Sequence, residues 1–305
     1  MPGIIATSNH PKLLWPGVYE TWGQTYDQHP KEYTDLYDVK TSEKAYEQLL
    51  QITPFGLAPV KTQGASVAYD SEMQGAVTTA TMVAYALGYI VTHEEIKDNL
   101  YKEVATRRTQ ANSFSMTQTV ETVAAFIYNN AFVTTYFVTG DGVALCSTAH
   151  VNASGGTYSN MLSPGAALSE ASLEDAATQI MGTQDDRGNQ VSVLQQSLHV
   201  ARQEWFSANR ILGSVLQSNT SNNNINVLKA TNAFPGGIKL NHYFTTARAW
   251  FLRTNVPRGM LFFWREEPFF DQDNDFGTKN ALAASYMRFA PTCEDPRGIF
   301  GSNGP

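Results

Sequence analysis

The chain has 305 residues, 42% hydrophobic and 16% charged, enough to bury one large core or two smaller ones and too apolar for the bulk to be disordered. With 28 acidic against 21 basic residues, the formal net charge of −7 argues against tight, salt-dependent binding to a phosphate backbone. Two cysteines far apart in the chain, Cys146 and Cys293, fit reduced thiols rather than a disulfide framework or a zinc cluster.

Met1 to Ala6 is mildly apolar, with no basic leader and no run long enough for a signal peptide or membrane span, so folding in a cytoplasm is expected. Residues 1–52 carry Pro2, Pro11, Pro16 and Pro30 in a polar, aromatic-rich stretch and read as an arm rather than a domain. One helix is expected there, over 41–51, with Tyr46, Leu49 and Leu50 on one side. Tyr19, Trp22, Tyr26, Tyr33 and Tyr37 recur at near-helical spacing, interrupted by Gly23 and Pro30. Trp22, Tyr26, Tyr33 and Tyr37 are therefore candidate contacts between subunits, as aromatic anchors on a weakly structured segment. Folding back onto the chain's own core is an equally weighted reading.

Residues 53–76 hold Pro54, Gly56, Pro59, Gly64 and Gly75 with few large aliphatics, and so supply no core. From Val77 to Val91, the residues Thr79, Thr81, Val83, Tyr85, Leu87, Tyr89 and Val91 alternate with Ala80, Ala84, Ala86 and Gly88. That period of two predicts one continuous strand. At about 3.3 Å per residue it would reach about 50 Å, against the roughly 17–20 Å usual in a compact domain. An extended loop over 53–91 that reaches another subunit explains both facts, with Lys61, Val67 and Tyr69 as candidate contact residues. The bland reading of Lys61 is a solvated edge charge rather than a crosslink donor.

Thr92 and Glu95 form a Thr-x-x-Glu capping box that starts a helix, with Glu94 well placed against the dipole. Ile96, Leu100 and Val104 make its first stripe, and Val120, Val123, Ala124, Ile127 and Ala131 a later one. The polar stretch 107–119 between them allows either one helix or two. Residues 139–165 read as loop, punctuated by Gly140-Asp141-Gly142, Gly155-Gly156 and Pro164-Gly165. Ser169 or Ser172 caps a helix bearing Leu173, Ala176, Ala177 and Ile180. A strand over 197–201 and a helix over 204–216, with Trp205, Ala208, Ile211 and Leu212 inward, continue a mixed α/β pattern. After the asparagine-rich loop 219–226, whose Asn219-Thr220-Ser221 sequon a cytoplasmic chain would not use, come strands over 248–253, 260–264 and 281–289.

Little catalytic chemistry is legible. Cys146 and His150 are close enough for a thiol nucleophile and its base, which would make a hydrolase, but no orienting group or oxyanion site accompanies them. A structural cysteine and a surface-loop histidine are the preferred reading. Asp271, Asp273 and Asp275 imitate the start of a calcium loop, yet Phe276 and Leu282 stand where glycine and glutamate are needed, so a solvated turn is expected instead. Gly140-Asp141-Gly142 lacks the residues of a phosphate cradle, and His10, His29, His93, His199 and His242 have no metal-ligand spacing. No catalytic residue, cofactor or metal is assigned.

Tyr85-Ala-Leu-Gly-Tyr-Ile-Val-Thr-His-Glu-Glu-Ile-Lys-Asp-Asn99, the helix through Asn129-Asn-Ala-Phe132, Gly140-Asp-Gly-Val-Ala-Leu-Cys-Ser-Thr-Ala-His150, and Phe270-Asp-Gln-Asp-Asn-Asp-Phe276 with Asp295-Pro-Arg-Gly298 occur in an order that resembles the major capsid proteins of tailed bacteriophages, particularly the Mu-like major head subunit group. The resemblance implies an α+β fold of the Hong Kong 97-like type: N-terminal arm (1–52), extended β-hairpin loop (53–91), peripheral domain with a long spine helix (92–164 and 266–305) and axial domain (165–265). It further implies self-assembly as hexamers and pentamers into an icosahedral shell enclosing double-stranded DNA, contacted weakly and without sequence specificity. Scaffolding, portal and decoration proteins are implied partners, with no membrane, and assembly in the bacterial host cytoplasm gives a virion protein. Some members carry a cleaved N-terminal scaffolding segment; here scaffolding is expected to be a separate protein or already removed. Another self-assembling protein, of a tail tube or surface layer, and a thiol hydrolase using Cys146 are the alternatives.

Overall fold

The computed structural model describes residues 16–97, 101–216, 224–275 and 277–304. The expectations for the N-terminal hexapeptide, for Leu100 and for most of the asparagine-rich loop fall outside the described residues, as do the side chains of Ile96 and Val104.

In chain order the elements are α1 (Pro16–Gln28), α2 (Tyr33–Leu36), β1 (Asp38–Thr41), β2 (Tyr46–Ile52), β3 (Gln74–Thr81), β4 (Val83–Val91), α3 (His93–Lys97) and α4 (Tyr101–Asn129). Then follow β5 (His150–Val151), β6 (Thr157–Tyr158), α5 (Glu170–Met181), β7 (Gln195–Ala201), α6 (Trp205–Gly213), α7 (Val227–Ala230), β8 (Gly237–Asn241), β9 (Trp250–Thr254), β10 (Met260–Asn274), β11 (Ala281–Cys293) and β12 (Ile299–Ser302). Two four-stranded sheets, β1-β10-β11-β4 and β12-β9-β7-β8, organise the chain.

The first sheet packs under α4, whose 29 residues span about 43 Å at 1.5 Å per residue. Its polar middle does not break the helix, because Thr109, Asn112, Ser113 and Thr117 are buried there and bonded. Thr109 Oγ1 donates to Ala105 O at 2.7 Å, Thr117 Oγ1 to Ser113 O at 3.2 Å, and Asn112 Nδ2 to Leu87 O at 2.8 Å. The expected capping box before it is present, with Thr92 N donating to Glu95 Oε2 and Glu95 N to Thr92 Oγ1, each at 3.3 Å.

Across α4 lies α1, and here the aromatic residues are settled. Trp22, Tyr26, Tyr33 and Tyr37 are buried in the same core cluster as Phe262, Trp264 and Phe289. Trp22 Nε1 donates to Asn112 Oδ1 at 3.0 Å, and the Tyr37 hydroxyl donates to Ala124 O at 2.7 Å. In the single chain these side chains are not offered on the surface, because α4 and β10 cover them. A large aromatic surface is worth burying wherever a core is nearest, and α4 supplies one. Helix α1 runs through Gly23 without interruption and ends before Pro30.

Two further expectations are corrected. The helix over 41–51 is strand β2, paired antiparallel with β3 from Tyr46↔Thr81 to Ile52↔Gln74, so cross-strand pairing overrides the helical spacing of Tyr46, Leu49 and Leu50. The single strand over 77–91 is two strands, broken at Met82, which is buried with Leu49, Leu261, Phe263 and Ala290. β3 pairs with β2, whereas β4 pairs with β11 over Ala281↔Val91 to Phe289↔Val83, inside the chain's own sheet. Tyr85 stacks on Phe289 with ring centroids 4.9 Å apart, and Val91 is fully buried. A two-residue alternation continues through a change of partner, so it cannot show where one sheet ends and another begins.

In the second sheet, α5 begins at the Ser169 cap, with Ser169 and Ser172 forming a reciprocal capping box. Leu173, Ala176 and Ile180 face Leu198, Val200, Trp250 and Leu252 in a second core cluster. Cys146 and Cys293 are both free and buried.

Candidate assembly surface

What projects from this body is the β2–β3 pair with the loop 53–73 between them. Its apolar packing on the body is at the base: Leu49, Ala80 and Met82 against Leu261, Phe263 and Ala290. Gly140 wedges against the other side of β3, where its amide donates to Thr78 Oγ1 at 3.0 Å and an added Cβ would come within 2.7 Å of the Val77 carbonyl carbon. Gln51 Nε2 donates to Glu294 O at 2.8 Å. The loop itself is folded around Asp70, whose carboxylate accepts the Gly56 amide at 2.7 Å and the Ser71 amide at 2.8 Å and pairs with Arg187 at 3.0 Å. Those bonds, the Gly56 amide first, hold the Asp70 carboxyl below its ordinary range.

Beyond that clasp the loop is apolar and uncovered. Leu57 is 82% exposed, Val60 95%, Val67 60% and Tyr69 96%, and Phe55 and Lys61 also face solvent. Burying a side chain of this size is worth about 1.5–3 kcal/mol, so five of them amount to roughly 10 kcal/mol that one chain leaves unused. Of the sequence-derived contact residues, Lys61, Val67 and Tyr69 therefore lie together on an open surface. Trp22, Tyr26, Tyr33 and Tyr37 do not. Phe55, Leu57 and Val60 were missed, since three large apolar residues scattered among Gly and Pro carry no periodic signal.

The motifs around Gly140–His150 and Asp295–Gly298 meet at a buried polar knot. His150 Nδ1 bonds Asp141 Oδ2 at 2.7 Å, its ring stacks on Tyr158 at 5.2 Å, and the opposite side of that phenol carries the Arg297 guanidinium at 4.1 Å. Arg297 bridges Asp186 at 2.7 Å and Asn152 at 2.8 Å, while Asn160 Nδ2 donates to Leu145 O at 2.8 Å and Pro296 O at 2.9 Å. Burial alone would raise the Asp141 carboxyl, but the bonds from His150 and Thr139 outweigh it and hold the group down at about 2. His150 is thus fully buried rather than a surface-loop residue, because the turn after Gly142 folds it under Tyr158.

This knot ties loops together and prepares no nucleophile. The Cys146 thiol is buried and its pKa is pushed up by desolvation, the reverse of thiolate activation, and both imidazole nitrogens of His150 are engaged by Asp141, Leu145 O and Asn160. Asp271 and Asp273 lie exposed on β10, and Asp275 is consumed in its turn, accepting from Thr278 Oγ1 at 2.6 Å and the Gly277 amide at 2.9 Å. Among the described residues no group of three His, Cys, Asp or Glu side chains could hold a metal ion, and no helix is long and apolar enough to cross a membrane.

A long helix laid on one sheet, a second layer built on the other sheet, and a projecting two-stranded arm define the Hong Kong 97-like class of shell proteins, and solved structures of that class superpose on the chain. A virus-like particle protein from Pyrococcus furiosus matches with a TM-score of 0.54 at 11% identity, covering 94% of this chain and 97% of its own. The protein of Microbacterium phage Oxtober96 gives 0.53 at 11%, covering 91% and 92%, and that of Mycobacterium phage Che8 gives 0.50 at 11%, covering 89% and 90%. No curated protein matches by sequence. The family model for phage capsid protein matches residues 75–301, and the chain belongs to that family. It is a structural major capsid protein, a self-associating subunit of the shell of a tailed-phage virion.

Proposed function

We propose that copies of this chain assemble as hexamers and pentamers and that the arm 46–81 of each copy lies across a neighbour, closing an icosahedral shell around double-stranded DNA. The observation that carries this reading is the apolar loop 55–69, where Phe55, Leu57, Val60, Val67 and Tyr69 are all exposed within fifteen residues, since clustered surface of that kind marks a protein interface. We divide the chain into an N-terminal segment packed on α4 (16–45), the projecting hairpin (46–81), a peripheral unit built on α4 and the first sheet, and an axial unit built on the second sheet. With a net charge of −7, contact with packaged DNA is weak and carries no sequence readout. Scaffolding, portal and decoration proteins would complete the head in the host cytoplasm, and no catalytic step is required of this chain.

Replacing residues 55–69 by a short Gly/Ser turn tests the reading. The variant is expected to melt within a few degrees of the parent while electron microscopy and sedimentation show no closed shells. Shells from the variant, or rings and tubes alone from the parent, would sink it.

A further inference from the structure

The axial layer carries two uncovered apolar surfaces of opposite shape. One is a groove of about 570 Å³ walled by Ala177 and Met181 of α5, Val227 and Leu228 of α7, and Leu194 and Pro235. Met181, Leu194 and Val227 are about half exposed within it. Its one charged group is acidic. Glu174 stands exposed on the rim, no lysine or arginine among the described residues lines the walls, and Gln195, only 7% exposed, has a side-chain oxygen with no hydrogen-bond partner among the described residues.

The other surface is convex. Phe206, on the first turn of α6, is 75% exposed, with exposed Arg202 four residues before it and exposed Arg210 one helical turn after it. An aromatic ring flanked by guanidinium groups is the residue set that anchors protein interfaces. The groove adjoins the start of β7, at Leu194 and Gln195, whereas α6 departs from the far end of that seven-residue strand. Neither Phe206 nor Arg210 is among the residues that line the groove. Two different patches that fit one another make a head-to-tail contact, and such contacts repeat into rings.

We propose that Phe206 of one copy enters the Met181–Leu194–Val227 groove of the next, with Arg210 pairing with Glu174. The occupant is a second copy because it carries the positive charge that complements Glu174 and because this chain self-associates; the inference rests on that shell-forming reading and names the surface that forms the ring. Phe206→Ser in the full chain is expected to raise the concentration needed for assembly about tenfold or more, with an unchanged thermal melt, as for loss of a central anchor. Arg210→Glu and Glu174→Arg should each weaken assembly, and the two together in one chain should restore most of it. As an assay independent of shell closure, mixing a Phe206→Cys variant with a Met181→Cys variant under oxidation should yield an interchain disulfide that neither gives alone; Cys146 and Cys293 are buried and do not compete. If Phe206→Ser and Arg210→Glu assemble at the parent's concentration, or the mixed cysteine variants stay unlinked, the docking is overturned while the shell reading stands. A parent that forms no closed shells, beside variants that still link through the two introduced thiols, would support the contact and refute the shell.

Discussion

Glu121 sits on α4 with 1% of its surface exposed, facing Tyr26 of α1, Glu32 and Tyr33 at the start of α2, Asp35, and Tyr243 after β8. Burial is the main influence and the Glu32 charge the next, and although the Tyr33 and Glu32 amides pull the other way, the carboxyl is raised from 4.5 to about 8. The folded chain therefore holds a proton there at neutral pH that the unfolded chain releases. Below the unfolded value both states are protonated and the group contributes no pH dependence. As pH rises between the two values, stability falls by about 1.4 kcal/mol per pH unit, and above the folded value it levels off. At pH 7 the parent has lost about 3 kcal/mol by this route. Glu121→Gln keeps the neutral shape and removes the titration, so it should be more stable than the parent at pH 7 by about 2–3 kcal/mol, a rise in melting temperature of about 4–6 °C. Near pH 4.5 the two proteins should nearly coincide. Thermal melts of unassembled parent and variant at half-unit steps from about pH 4.5 to about pH 8.5 measure this directly. Parallel curves across that range would refute the argument, since they would mean that Glu121 is ionised in the folded chain or that its charge is freely solvated.

The acid limb should behave oppositely. With Asp141 depressed to about 2, its contribution is complete above about pH 4 and is lost as pH falls toward the folded value, so Asp141→Asn should flatten the acid-unfolding curve in that window. Gly298→Ala should destabilise by about 2–4 kcal/mol, because the new Cβ would overlap the Gly259 Cα, backbone against backbone, and a chemical melt that left it unchanged would show the two loops can part. Arg297→Met should cost about 3–5 kcal/mol by leaving Asp186 and Asp295 buried without their cation, measured as a shift in urea midpoint. Cys146→Ser should cost about 1–3 kcal/mol by placing a hydroxyl in a desolvated core site, and a hydrolytic turnover that disappears in this variant would contradict the structural role of the thiol.

By itself the sequence determined the features that local chemistry encodes. The Thr92–Glu95 and Ser169–Ser172 caps, the later stripe on α4 and the inward face of α6 were all legible, because each depends on residues within a few turns of one another, and the order of motifs that marks a capsid protein was legible because it is linear along the chain. What tertiary structure alone decided was partner choice. The alternation from Val77 to Val91 is identical on both sides of Met82, yet one half pairs with β2 in the arm and the other with β11 in the core. The spacing in 41–51 suits a helix until β3 lies beside it. Trp22 and Tyr37 look like interface anchors until α4, some 90 residues on, supplies acceptors for both and a core to bury them. Period and propensity report the local geometry a segment can adopt; which surface covers it is set by contacts distant in sequence, and that decides which apolar residues remain outside for another chain to bury.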